Sequence, residues 1–227
     1  MTRLKILLLL SALLVACGGT EHTRRTFPVT VAAKTSPILT DSGWAITLTE
    51  AKASLASVRF YTGKVLLGRR FNPMDLIISS AWAHPGHYQQ GEALGELLVP
   101  LEADLLSGST TSWGTASAVT GEYGSMQLGY GTAGLSVKGT ATKDSTSVAF
   151  AATFTPAAPL EGIKFEQVMT TAPGTVAITF DLNVVLSRMD FSQIGASAAP
   201  LDPASVAFNG FARGIEDTTS YLTLWSH

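Results

Sequence analysis

Apolar residues recur at every second position through much of this chain, between clusters of Gly, Pro, Thr and Asp. That period restricts the fold more than any other feature. Trp44, Ile46 and Leu48 alternate with Ala45, Thr47 and Thr49, and Val29 and Val31 with Thr30 and Ala32. Val176, Ile178, Phe180 and Leu182 fall on one side of the segment 175–186. Side chains of an extended chain point alternately to opposite faces, so a period of two marks strands with one face buried and the other wet. Further segments of this kind are expected at 58–60, 64–67, 123–130, 135–142, 147–154 and 163–170, with 206–211 and 221–225 closing the sheet.

The punctuation agrees with the period. Lys143-Asp144-Ser145-Thr146 joins two alternating runs as a hairpin, and Ala172-Pro173-Gly174 supplies Pro and Gly for another turn. Gly129-Tyr130-Gly131-Thr132-Ala133-Gly134 superficially resembles a dinucleotide-binding fingerprint, but strand-like flanks and the lack of a following helix make it a turn. No repeat of fixed period is visible, which disfavours propellers and solenoids. The expectation is an all-β fold, an antiparallel β-sandwich, with a long inserted loop around 72–106 where alternation stops. Within that insert Ala93, Leu94, Leu97 and Leu98 have helical spacing and predict a turn or two of helix.

Composition excludes several classes. Hydrophobic residues make up 46% of the chain and charged residues 14%, so most of it has the means to fold rather than remain disordered. Acidic residues outnumber basic ones by 17 to 15, and no basic run offers a footprint for nucleic acid. There is no Gly-x-Ser-x-Gly elbow, no phosphate-cradling loop opening a helix and no His-Glu-x-x-His motif, so catalysis is not expected.

The first residues carry a different signal. Arg3 and Lys5 precede a run that is apolar from Ile6 to Val15 save Ser11, and the run ends Leu14-Val15-Ala16-Cys17-Gly18-Gly19. A basic start and a short apolar stretch form an export signal too short to span a bilayer. The last residues resemble the lipobox of bacterial lipoproteins. That resemblance implies cleavage before Cys17 and acylation of its thiol with diacylglycerol and of the new amino group with a further chain such as palmitate. Three acyl chains exceed what stable anchoring needs. Cys17 is the one cysteine of the chain, so it has no intrachain disulfide partner. The expected organisation is a signal peptide over 1–16, a lipidated tether over 17–26 and one domain, expected to be monomeric, over 27–227. Gly18, with no Asp beside the cysteine, points to outer-membrane sorting.

Candidate chemistry gathers in the insert. His84 and His87 flank Pro85-Gly86, a pair suited to a tight turn that brings two imidazoles to one side. Each offers a nitrogen lone pair to Cu²⁺, Zn²⁺ or Ni²⁺. Glu92, four residues from Glu96 on an expected helical face, is the candidate oxygen ligand, with Asp75 and Asp104 as further carboxylates. Two alternatives stand beside the metal site: the histidines are polar turn residues, or the insert docks an envelope protein. Trp44–Thr49 and Phe60-Tyr61 bear a faint resemblance to β-sandwich proteins of periplasmic copper handling, which implies a metal-related role. Trp113, Tyr123, Tyr130 and Trp225 are candidates either for a sugar or peptide site or for the core. His22 in the tether and the terminal His227 are expected to be solvated.

Overall fold

A computed structural model describes residues 22–35, 37–63, 90–195 and 197–226. Its main element is a sheet of twelve strands: β1 (Arg24–Lys34), β2 (Ile38–Leu39), β3 (Ala45–Tyr61), β4 (Ala93–Leu97), β5 (Leu101–Asp104), β6 (Thr111–Val119), β7 (Gly121–Lys143), β8 (Thr146–Phe154), β9 (Leu160–Met169), β10 (Thr175–Asp181), β11 (Ser197–Ala198) and β12 (Tyr221–Ser226). The class is all-β and sandwich-like, as the alternation requires. Two helices, α1 (Leu182–Leu186) and α2 (Val206–Glu216), and a 3₁₀ turn at Thr218–Ser220 accompany the sheet.

The sheet is mixed rather than antiparallel, because β1 runs parallel to β10 and β11 parallel to β8. Its main path is β11-β8-β7-β3-β4-β6-β1-β10-β12, with β9 on the free side of the N-terminal half of β7. The sheet curls until β9 packs against β12. No backbone ladder joins those two strands, and Thr223 crosses the seam by donating its hydroxyl to the Lys164 carbonyl at 2.6 Å. Eight strands thus form a ring with one unladdered seam.

Side chains fill the ring. Phe60 lies 5.6 Å from Phe27, 5.2 Å from Phe165 and 6.4 Å from Tyr123, centroid to centroid. Met126, Leu128, Ile163 and Ile178 complete the filling and are fully buried. Each large apolar side chain taken from water stabilises the fold by roughly 1.5–3 kcal/mol. The long strands β3 and β7 continue beyond the ring, where Trp44, Phe150 and Phe191 form a second aromatic group. Bulges near Leu48, Ala53 and Leu55 let β3 change its inward face along the way. In β7 the corresponding break falls at Gly134, whose φ of +58° suits glycine and whose added Cβ would stand 2.1 Å from the Phe154 carbonyl.

Several sequence expectations are corrected. The segment 123–142 is not two strands around a glycine turn but part of the single strand β7. The segment 206–211 is helical, with Ala207, Gly210, Phe211, Gly214 and Ile215 on one buried face. The strand expected over 175–186 stops at Asp181, whose carboxylate accepts from the Asn183 N–H and starts α1. The expected insert around 72–106 is shorter, since β4 and β5 occupy part of it, and the helical turn at 93–98 is strand β4 and the residue after it. Pairing with β3 and β6 sets that conformation, and Leu97 is buried while Leu98 is exposed. The tether also ends early, at the start of β1. The strand expected at 64–67 lies outside the described residues.

Candidate functional site

The ends of β1, β3, β4, β6, β7, β9, β10 and β12 converge on one rim of the ring. At this rim β1 and β12 show their first and last residues, β6 turns into β7 at Thr120, and β9 turns into β10 through 170–174. The chain enters here. His22 Nδ1 lies 2.8 Å from the Thr120 carbonyl, to which a proton on that nitrogen is donated. The Thr23 N–H donates to Thr120 Oγ1 at 3.0 Å, and the Thr120 N–H returns a bond to the Thr23 carbonyl at 2.9 Å. His22 is exposed as expected, yet it is tied to the rim. Arg25 reaches across the rim to donate to the Thr171 carbonyl.

The rim also brings Thr62, just after β3, against Glu92, just before β4. The Thr62 N–H donates to the Glu92 carbonyl at 3.0 Å, and the Glu92 N–H donates to Thr62 Oγ1 at 2.9 Å. The Glu92 side chain is exposed here. Glu96 does not share a helical face with it. In the extended β4, Glu96 instead accepts from Arg59 Nε at 3.2 Å. Asp104 accepts from the Leu106 N–H at 2.9 Å, a local turn bond. Cys17, Asp75, His84 and His87 lie outside the described residues. Among the described residues, no group of three or more His, Cys, Asp or Glu side chains is placed to hold a metal ion.

Beneath the rim is a cavity of about 80 Å³, lined by Arg25, Phe27, Met169, Pro173 and Trp225 among others. Sites for drug-sized ligands measure roughly 300–1,000 Å³, so this one admits nothing larger than a few waters or a small ion. Larger hollows are open grooves on the outside, one beside Thr62, Glu122 and Glu166 and another along 156–161. The aromatic residues considered for a sugar or peptide site are structural here. Trp113 and Tyr123 are buried, and Trp113 Nε1 donates to the Val99 carbonyl at 2.6 Å. Burial pushes the Tyr123 phenol up to about 12, against the opposing effect of its 2.5 Å bond to the Val119 carbonyl. Tyr130 pairs with Tyr221 at 2.8 Å, and Trp225 packs on Phe27 at 5.3 Å.

One feature of the site escaped the sequence reading. The outer faces of four consecutive strands, β6, β1, β10 and β12, carry no charge between Arg24 at the rim and the Lys34–Asp181 ion pair at the other end. Register aligns Ser112, Thr30, Ala177 and Leu224 in one row and Ala32, Thr179 and Leu222 in the next. The alternate Thr and Ala residues were visible in the sequence, but the parallel pairing of β1 with β10, distant in the chain, was not.

No protein-family model matches this sequence, and no curated protein or solved structure matches it either. Among the described residues no helix is long and apolar enough to cross a membrane.

Proposed function

We propose that this protein is a bacterial envelope lipoprotein, anchored through acylated Cys17 and acting by surface contact rather than by enclosing a ligand. The observation that carries the second half is the filled ring. Phe27, Phe60, Tyr123 and Phe165 occupy the space in which a barrel of this size would hold a guest. The anchor rests on the resemblance at Leu14–Cys17, and Gly18 supports the outer membrane as its destination. Replacing Cys17 with Ser tests it. Palmitate incorporation and membrane retention should both be lost, and undiminished labelling in the variant ends this reading.

A second reading has a specific observation in its favour. The bonds between Thr62 and Glu92 hold two residues that flank His84 and His87 in sequence together at the rim, with the Glu92 side chain exposed there. A Cu²⁺ or Zn²⁺ ion bound by His84, His87 and Glu92 would make the intervening segment a metal-binding loop. Neutral imidazoles are required, so affinity should fall as pH drops through about 6.5. Metal at about a hundred times its dissociation constant should stabilise the fold by about 2.7 kcal/mol. Replacing both histidines with Ala should erase that shift. A parent protein whose melting ignores both metals overturns this second reading.

A further inference from the structure

We infer that the uncharged wall formed by β6, β1, β10 and β12 is a docking face for the lipid leaflet that holds the anchor. This rests on the lipoprotein reading above. Five residue steps separate Cys17 from His22, which limits the tether to about 17 Å when fully extended. His22 and Thr23 are fastened to Thr120, so the rim itself stays within that distance of the acyl chains. At such range the second contact is intramolecular, with an effective concentration on the order of millimolar, and a weak attraction suffices to dock the domain.

Charge and polarity then select the side that docks. The half-ring β9, β7, β3 and β4 bears two ion pairs on its outer face, Lys164–Glu166 and Arg59–Glu96, together with Glu122, which has no ion-pair partner among the described residues, and Glu92 is close by at the rim. An anionic leaflet repels an acidic sector of this kind. The other half-ring presents Thr26, Pro28, Thr30 and Ala32, the outer residues of β10, and Leu222 and Leu224, which are 49% and 59% exposed. Arg24 stands at the rim end of this wall, where a lipid phosphate would meet it, and holds Ser117 Oγ at 3.0 Å. Two of the seven large exposed hydrophobics among the described residues, Leu222 and Leu224, thus sit on this wall. Scattered apolar residues need no partner, but a charge-free wall beside a lipid tether is the arrangement expected of a surface that meets a membrane.

The test uses the full acylated chain in vesicles of phosphatidylethanolamine and phosphatidylglycerol that contain a nitroxide-labelled lipid. Acylation consumes the Cys17 thiol, so a new cysteine is the one site for a maleimide fluorophore. Leu224→Cys and Pro28→Cys report the wall, and Glu122→Cys reports the opposite sector at the rim. Lipid quenching should be several-fold stronger at the two wall positions than at 122. Equal quenching overturns the docking face while leaving the anchor intact. Weak quenching at all three, with disulfide formation between two copies of the Leu224→Cys chain, assigns the wall to a second copy and also overturns it. Maleimide uptake by the parent chain at Cys17 would show instead that the anchor reading itself has failed.

Discussion

Gly214 lies directly on the carbonyl of Val185: a Cβ added to it would stand 1.9 Å from Val185 O. One turn earlier, Gly210 faces the Arg188 carbonyl at 2.1 Å in the same sense. The pair lets the backbone of α2 settle onto the end of α1, an approach that any side chain would block. Both contacts are with main chain, which has no rotamer to yield. Gly214→Ala should therefore destabilise the domain by at least about 1–3 kcal/mol, the usual cost of forced overpacking. Gly195, with open space around its Cβ position, should tolerate Ala within about 0.5 kcal/mol. Denaturant midpoints of the two variants check this, and equal midpoints would refute the close-packing account.

Asp181 joins the sheet to α1 in another way. Its buried carboxylate accepts from the Asn183 N–H at 3.1 Å and from Lys34 Nζ at 2.9 Å. It therefore caps α1 and pairs with the last residue of the parallel neighbour β1. Loss of an N-cap costs about 0.5–2 kcal/mol. The half-exposed lysine adds little of its own, because exposed pairs contribute about 1 kcal/mol or less. Asp181→Ala should lower stability by about 1–3 kcal/mol, whereas Lys34→Ala should lower it by under about 1 kcal/mol. A lysine variant as damaging as the aspartate variant would move the weight from the cap to the ion pair.

Those helices also show where the sequence was legible and where it was not. Alternation identified the strands around Val29, Ile46, Val148, Ile163 and Ile178 because each buries one face against a single core. It failed at α2, whose buried positions 207, 210, 211, 214 and 215 have helical spacing but include two glycines. A glycine gives no apolar mark in a pattern search, so Val206, Phe208 and Phe211 read as a strand. It failed at β4 for the opposite reason. Leu94 and Leu97 carry helical spacing, but β3 and β6 on either side supply the hydrogen bonds that hold the segment extended. Of the candidate site, Glu92 was singled out from the sequence but its bonds to Thr62 were not, and the uncharged wall depends on a register that no local pattern contains.

Asp217 gives the fold a component that acid removes. Burial acts to raise its carboxyl, but the hydroxyl and N–H of Thr219, at 2.6 and 3.0 Å, together with Arg188 at 2.6 Å, outweigh it and hold the group below its ordinary value. A carboxyl lowered in the folded state contributes stability above the unfolded value of about 3.9, and that contribution disappears as pH falls through the folded value. Asp217→Asn should reduce melting temperature at neutral pH and flatten its fall below about pH 4. The fall should not vanish, because Asp190 is lowered too, by the Ser192 hydroxyl and N–H. Parallel melting curves for parent and variant across this range would exclude Asp217 as a contributor.

Tyr221 should set the alkaline limit. Its hydroxyl donates to the Ile215 carbonyl at 2.6 Å, so the 2.8 Å contact with Tyr130 must be a bond in which Tyr130 donates. Burial pushes both phenols up, and for Tyr221 the neighbouring Tyr130 pushes further in the same direction. A phenol is neutral when protonated, so a raised folded value favours the native state fully below the unfolded value of about 10. Stability is then lost as pH climbs from there toward the folded value. Melting temperature should hold up to about pH 9 and decline beyond it, and phenolate absorbance from these two residues should appear only together with loss of the near-ultraviolet dichroism. The two tyrosines are not equivalent. Tyr130→Phe removes one hydrogen bond and should cost about 0.5–1.5 kcal/mol. Tyr221→Phe leaves the Ile215 carbonyl without its donor and Tyr130 without its acceptor, so it should cost more, about 1–3 kcal/mol. If the phenols instead titrate smoothly near pH 10 while the dichroism stays native, the pair is open to solvent and this ordering of the two variants fails with it.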